Sequence, residues 1–158
     1  MEQAVRRALV FGLIGGFAAW HLSLVGLIEA FAGRRLIGQG VTFSYVLLLA
    51  LMLTVGYLVG RRISNWTGLL GAALAGLLVG LALWVLALLV ATVDLRTVFV
   101  AASPALPDIL TFNRGTGAVG LAVLLLVGAA VGFLGGGLTW LPATGRRAVL
   151  TALAIAVL

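Results

Sequence analysis

Residues Trp66–Val93 read WTGLLGAALAGLLVGLALWVLALLVATV, with no charge before Asp94. A helix needs ~20 apolar residues to cross a hydrocarbon core ~30 Å thick, and this run is longer than that. Within it Gly68, Ala72, Gly76 and Gly80 recur at every fourth position. In a helix that spacing aligns them on one face, where the missing side chains let another backbone come close. The stretch therefore predicts a membrane-spanning helix built to pack against a second helix.

The composition agrees with this reading. The chain has 158 residues, of which 63% are hydrophobic and 9% charged. A soluble domain is nearer ~45–50% apolar and ~25% charged. In lipid the backbone must satisfy its own hydrogen bonds, which leaves helices or a closed barrel. The apolar runs here are continuous rather than alternating, so helices are expected. The fold class expected is an all-α polytopic membrane bundle in one domain, residues 1–158.

Four spans follow from the apolar runs, at about residues 8–28, 41–60, 66–91 and 118–141. A fifth run, 148–158, is too short to cross and reads as the start of a truncated helix. In the first span Gly12, Gly16, Ala19, Ser23 and Gly26 form a seam of small residues. A signal peptide is the rival reading of this span, with Ala30-Phe31-Ala32 as an A-x-A site, but the apolar run exceeds the ~7–15 residues of an h-region. Residues 29–40 read as a polar loop. Arg61 to Asn65 is a tight turn that makes the second and third spans an antiparallel hairpin. In the fourth span Gly128, Gly132 and Gly136 make a second ladder, so the third and fourth spans pack on each other or on a shared neighbour. Trp140 anchors the end of the fourth span at the interface and Pro142 ends it.

The segment 94–117 does not span. Asp94 is placed to cap a short helix with Leu95, Val98, Phe99 and Ala102 on one face. Ser103 before Pro104 is placed to cap a second, with Leu106, Ile109 and Leu110 as its apolar face. Two short helices lying in the interface are expected, with a re-entrant segment as the alternative.

The formal charge of +6 comes from ten Arg and four acids, with no Lys. Most Arg come in pairs at the ends of apolar runs, where they set topology and touch headgroups; nucleic-acid binding is not expected. With the N-terminus inside, Arg6, Arg7, Arg61, Arg62, Arg146 and Arg147 face the cytoplasm and Arg34, Arg35, Arg96 and Arg114 face out. That imbalance favours a cytoplasmic N-terminus.

Little here suggests catalysis. His21 is the sole histidine and there is no cysteine. An ionisable group within a span is a functional candidate, so His21 and Glu29 form a possible intramembrane polar site. The plainer reading is a neutral, hydrogen-bonded His21 near the interface, with Glu29 hydrated or paired with Arg34. Asp94, Arg96, Asp108 and Arg114 read as solvated faces and caps rather than a solute entrance. No metal-protease, phosphate-loop or nucleophile-elbow motif occurs, and no cofactor, metal site or enzyme activity is expected.

Three stretches carry a family resemblance: LSLVGLIEAFAGRRLIGQGVTFSYVLLL (Leu22–Leu49), DLRTVFVAASPALPDILTF (Asp94–Phe112) and GGGLTWLPATGRRAVLTAL (Gly135–Leu153). Together they resemble the N-terminal membrane extension of some bacterial branched-chain amino acid ABC transporter permeases. The resemblance implies a bacterial inner-membrane location, a role in amino acid transport, and a separate cytoplasmic ATPase subunit as partner. The ATPase-docking E-A-A…G loop of such permeases has only a superficial echo in Glu29-Ala30-Phe31-Ala32-Gly33, on the loop assigned to the outside. The docking loop and the transport path would then lie beyond Leu158, and no substrate-binding residue carries over. The alternative is an accessory or assembly protein that binds a larger membrane complex through its glycine-rich faces.

Overall fold

The computed structural model describes residues 2–37, 41–62, 65–93, 95, 98–99, 102–142, 144–145 and 151. In order they form α1 (Glu2–Leu24), α2 (Leu27–Ala30), β1 (Arg35–Ile37), β2 (Val41–Thr42), α3 (Phe43–Gly60), α4 (Trp66–Thr92), α5 (Leu106–Leu110) and α6 (Ala118–Gly137), with a 3-10 turn at Leu138–Trp140. Four of these, α1, α3, α4 and the run Ala118–Trp140, are long and apolar enough to cross a membrane. The chain is a multi-pass membrane protein of the all-α class. β1 and β2 are a short antiparallel ladder, Arg35 opposite Thr42, within the connection expected to be a plain loop. Asp94, Arg96 and most of the fifth run lie outside the described residues.

Local chemistry sets the boundaries. α1 starts before its apolar run and ends at Leu24, because Gly26 takes φ +81 and turns the chain into α2. A side chain at that φ is disfavoured; glycine has none. Asn65 caps α4, its Oδ1 accepting from Gly68 N at 3.1 Å and from Thr67 Oγ1 at 2.6 Å. Such a cap contributes ~1 kcal/mol. Toward Pro142, which has no N–H to give, the last turn of α6 tightens into the 3-10 form.

Two short helices are expected in the connection between α4 and α6, and most of the first lies outside the described residues. α5 supplies one, with Leu106 and Leu110 fully buried. Where the other is expected, Leu95 O accepts from Phe99 N at 2.7 Å. Of its expected apolar face only Ala102 is buried, while Val98 is 72% exposed. Ser103 Oγ accepts from Ala105 N at 3.2 Å, so it closes the turn ahead of α5 rather than capping the helix itself.

α3 and α4 form the central hairpin. α4 packs most extensively on α6 and then on α1; α3 also touches both. The core is Leu48, Met52, Val55 and Val59 of α3, Ala72, Ala75, Val79, Leu83 and Leu86 of α4, and Leu124 of α6. The two ladders meet each other. A Cβ on Gly76 would overlap the carbonyl of Gly128, one on Gly80 that of Leu124, and one on Gly132 that of Ala72. Gly136 sits over Ala72, its Cβ position 2.6 Å from the Ala72 methyl, and Gly68 is buried at the start of the same face. The other side of α6 repeats this on α3, where Gly56 meets Gly132 and Gly60 meets Gly136. The α1 seam is looser. Gly12 and Gly16 face side chains, Leu78 Cδ1 at 2.8 Å and Ala82 Cβ at 2.7 Å from their Cβ positions.

A rigid carbonyl cannot rotate away from a new methyl as a side chain can. Gly76→Ala and Gly132→Ala should therefore each cost ~1–3 kcal/mol or more by overpacking. Gly117→Ala should be neutral, because nothing lies within 4 Å of its Cβ position. Melting in mild detergent checks this; equal midpoints for all three variants would exclude the backbone contact.

Candidate functional site

The polar side chains of the bundle gather at its two ends. Call the arginine end the one carrying Arg6, Arg7, Arg61 and Arg62, and the far end the one carrying α2, the β ladder and α5. His21 and Glu29, considered together from the sequence, are not brought together. His21 is on the exposed side of α1, facing away from the bundle. Glu29 is on α2, beyond the kink at Gly26, where its Oε2 accepts from Ser103 N at 3.4 Å. Arg34 lies over the Phe31 ring at 5.4 Å. The kink is the physical reason: it moves Glu29 off the α1 axis and toward the α4–α6 connection.

Three side chains the sequence reading passed over fasten that connection. Trp84 Nε1 donates to Thr116 O at 3.0 Å. Asn113 Nδ2 donates to Tyr45 Oη at 2.7 Å, and the Tyr45 and Phe112 rings lie 4.9 Å apart. Phe112 and Asn113 both take positive φ, +54 and +59. Asparagine tolerates that conformation, but for a bulky aromatic it costs ~1–3 kcal/mol. The Tyr45 stacking and hydrogen bond offset that cost. A second indole, Trp20, donates to Ala82 O at 2.7 Å and ties α1 to α4. An indole N–H buried in lipid needs an acceptor, so Trp20 and Trp84 inside apolar runs were the available signal.

Two adjoining cavities flank the connection at the far end. One of about 280 Å³ is lined by Val90, Leu95, Ala102, Ser103 and Pro104. The other, of about 360 Å³, is lined by Val90, Pro107, Asp108, Gly115 and Thr116. Both are open crevices at the end of α4 rather than passages through it. Ser103 Oγ accepts from Ala105 N, and the neighbouring Glu29 carboxylate is bonded to Ser103 N rather than to the hydroxyl, so the arrangement offers hydrogen-bonding groups but no activated nucleophile. Among the described residues no three His, Asp or Glu side chains converge as metal ligands.

The glycine faces are occupied from within. Gly76, Gly80, Gly128, Gly132 and Gly136 meet other parts of this chain, so they present no free surface to a second protein. Apolar surface faces outward on α1, where Leu13, Ile14 and Phe17 are 68%, 60% and 76% exposed, and on α6, where Val119, Leu126 and Leu134 are 62%, 71% and 61% exposed.

Trp84→Phe should remove one hydrogen bond, worth ~1 kcal/mol, and leave Thr116 O unpaired. Hydrogen exchange should then rise at residues 111–117 while the α4–α6 contact stays protected. Substituting His21 by Gln should shift stability by less than ~0.5 kcal/mol, as exposed sites generally do. A large loss on His21→Gln would restore a role for it in the bundle. No protein-family profile matches the chain, and searches of curated proteins and of solved structures likewise found no match.

Proposed function

We propose that this chain is the leading membrane segment of a transporter permease for branched-chain amino acids or similar small solutes, flanking the transport path rather than lining it. The observation that carries the flanking role is the closure of the bundle. Backbones of α4 and α6 touch along Ala72, Gly76, Gly80, Gly128 and Gly132, and Leu48, Met52, Val79, Leu83 and Leu124 fill the remaining interior. Among the described residues the fully buried polar side chains are Ser23, Ser44 and Thr111, none of them ionisable. A solute path needs polar groups or water at the bilayer midplane, which this interior does not offer. The permease identity itself rests on the three stretches that resemble such extensions.

In this reading the membrane is a bacterial inner membrane, the arginine end faces the cytoplasm, and a separate ATPase subunit drives transport from a region following Leu158. A second reading is an accessory protein with no path of its own. The occupied glycine faces alter that reading: a partner would meet the outer side of α1 at Leu13, Ile14 and Phe17.

The encoding frame beyond Leu158 separates the two. Several further spans with an E-A-A…G-type loop on the arginine side, together with ATP-dependent leucine uptake in proteoliposomes, support the permease. A frame that stops after completing one more helix, with no uptake, sinks it.

A further inference from the structure

The arginine end holds a feature that neither helix packing nor the permease reading accounts for. Arg7 is half-buried on α1, and its Nη1 is shielded from solvent with no hydrogen-bond acceptor among the described residues. A guanidinium nitrogen removed from water without an acceptor is costly, by ~1–3 kcal/mol or more for a charged group. Arg7 also lines a cavity of about 240 Å³, along with Gln3, Arg6, Val10 and Phe11. Residues 3, 6, 7 and 10 share one helical face, so Gln3, Arg6 and Arg7 all line the same space, with Arg7 Nη1 lying beneath its surface.

The surroundings are interfacial and mostly cationic, with Glu2 the one acid of the same first turn. A Cβ at Gly71 would stand 3.2 Å from Ala4 O and 3.3 Å from Val59 Cγ1, so the first turn of α1 meets the last turn of α3 there. Arg61 and Arg62, both exposed, follow α3 at once. Trp66 and Trp140 are close at the same end, their rings 6.5 Å apart, and are 60% and 54% exposed. Exposed tryptophans at the ends of spans mark headgroup level. Below the cavity α1 continues as the outward apolar stripe of Leu13, Ile14 and Phe17.

We infer that Gln3, Arg6 and Arg7 form a binding site for a phosphate group at the membrane interface, with Arg7 as its principal ligand. The chemistry fits phosphate well. Its oxygens accept two parallel N–H bonds from one guanidinium, and the Gln3 amide supplies a neutral donor. At headgroup level the abundant source is a phospholipid, whose acyl chain would lie along the exposed stripe of α1. Free inorganic phosphate shares the recognising chemistry and differs only in lacking that chain.

The test is thermal melting of the full chain in a neutral detergent, titrated separately with phosphatidylglycerol, diacylglycerol and inorganic phosphate. A ligand of the folded state raises the midpoint by mass action. Phosphatidylglycerol should raise it saturably and diacylglycerol should not. Arg7→Gln should increase the half-saturating concentration about tenfold or more, as loss of a charge-assisted bond does. Arg6→Gln should do so to a smaller extent, and it carries the test if Arg7→Gln does not fold. Arg114→Gln, which removes an exposed charge at the far end, should leave the titration unchanged. An equal, Arg7-dependent shift with inorganic phosphate alone would assign the site to the free ion. Equal weakening by Arg7→Gln and Arg114→Gln would reduce the effect to net charge and overturn the site. So would equal shifts with phosphatidylglycerol and diacylglycerol, or no shift with any of the three.

Discussion

The contact of α6 against α4 and α3 is the constraint on which the rest of the bundle depends. Lipid tails are as apolar as leucine, so burying hydrophobic side chains gives these helices little reason to associate. Close packing has to supply the attraction. It does so where side chains are missing, at Gly76 against Gly128, at Gly132 against Ala72, and at Gly56 and Gly60 on the α3 side. Each approach brings many atoms into van der Waals range at once, and the sum is large although each pair is weak. α6 thus lies in a groove between the two helices of the central hairpin.

The α1 contact is built differently. Gly12, Gly15 and Gly16 first meet the side chains Leu78, Val55, Val79 and Ala82, with backbone only at 3.2 Å, where Ala75 O faces the Gly12 Cβ position. Side-chain ends such as Leu78 Cδ1 and the Val55 and Val79 methyls can shift, but the Cβ atoms of Leu78 and Ala82 move only with their backbone. Trp20 adds a directional bond to Ala82 O across it. A helix held partly by adjustable contacts, exposed along Leu13, Ile14 and Phe17, is well suited to meet lipid on one side and the bundle on the other. The phosphate site inferred at its start and the flanking role proposed for the chain draw on the same arrangement, but neither requires the other.

The far end shows how a polar connection is kept on an apolar bundle. Residues 102–117 bury Ala102, Leu106, Leu110 and Thr111 beneath them, and Trp84, Tyr45 and Glu29 each offer one bond to hold them there. Thr111 satisfies its own hydroxyl on Pro107 O at 2.8 Å, so it is buried without a penalty. The reversal at Phe112 and Asn113 then delivers the chain to Gly117 and α6. Its positive φ values are maintained by the Tyr45 ring and hydroxyl rather than by glycine.

The sequence by itself determined the class, the four spans and the two glycine ladders, because each depends only on local spacing. Apolar length decides that a helix spans, and a four-residue repeat decides that small residues share a face. It could not decide what each face meets. The ladders of α4 and α6 satisfy one another, and this removes the partner surface that the same repeat suggested. His21 and Glu29 could be named from the sequence only as the two ionisable candidates of one span; the φ of Gly26 puts them on different helices, since one backbone angle redirects everything after it. The buried nitrogen of Arg7 was likewise invisible in an Arg6-Arg7 pair that reads as an ordinary topology signal. Burial is a property of what surrounds an atom, and only the folded chain supplies that surrounding.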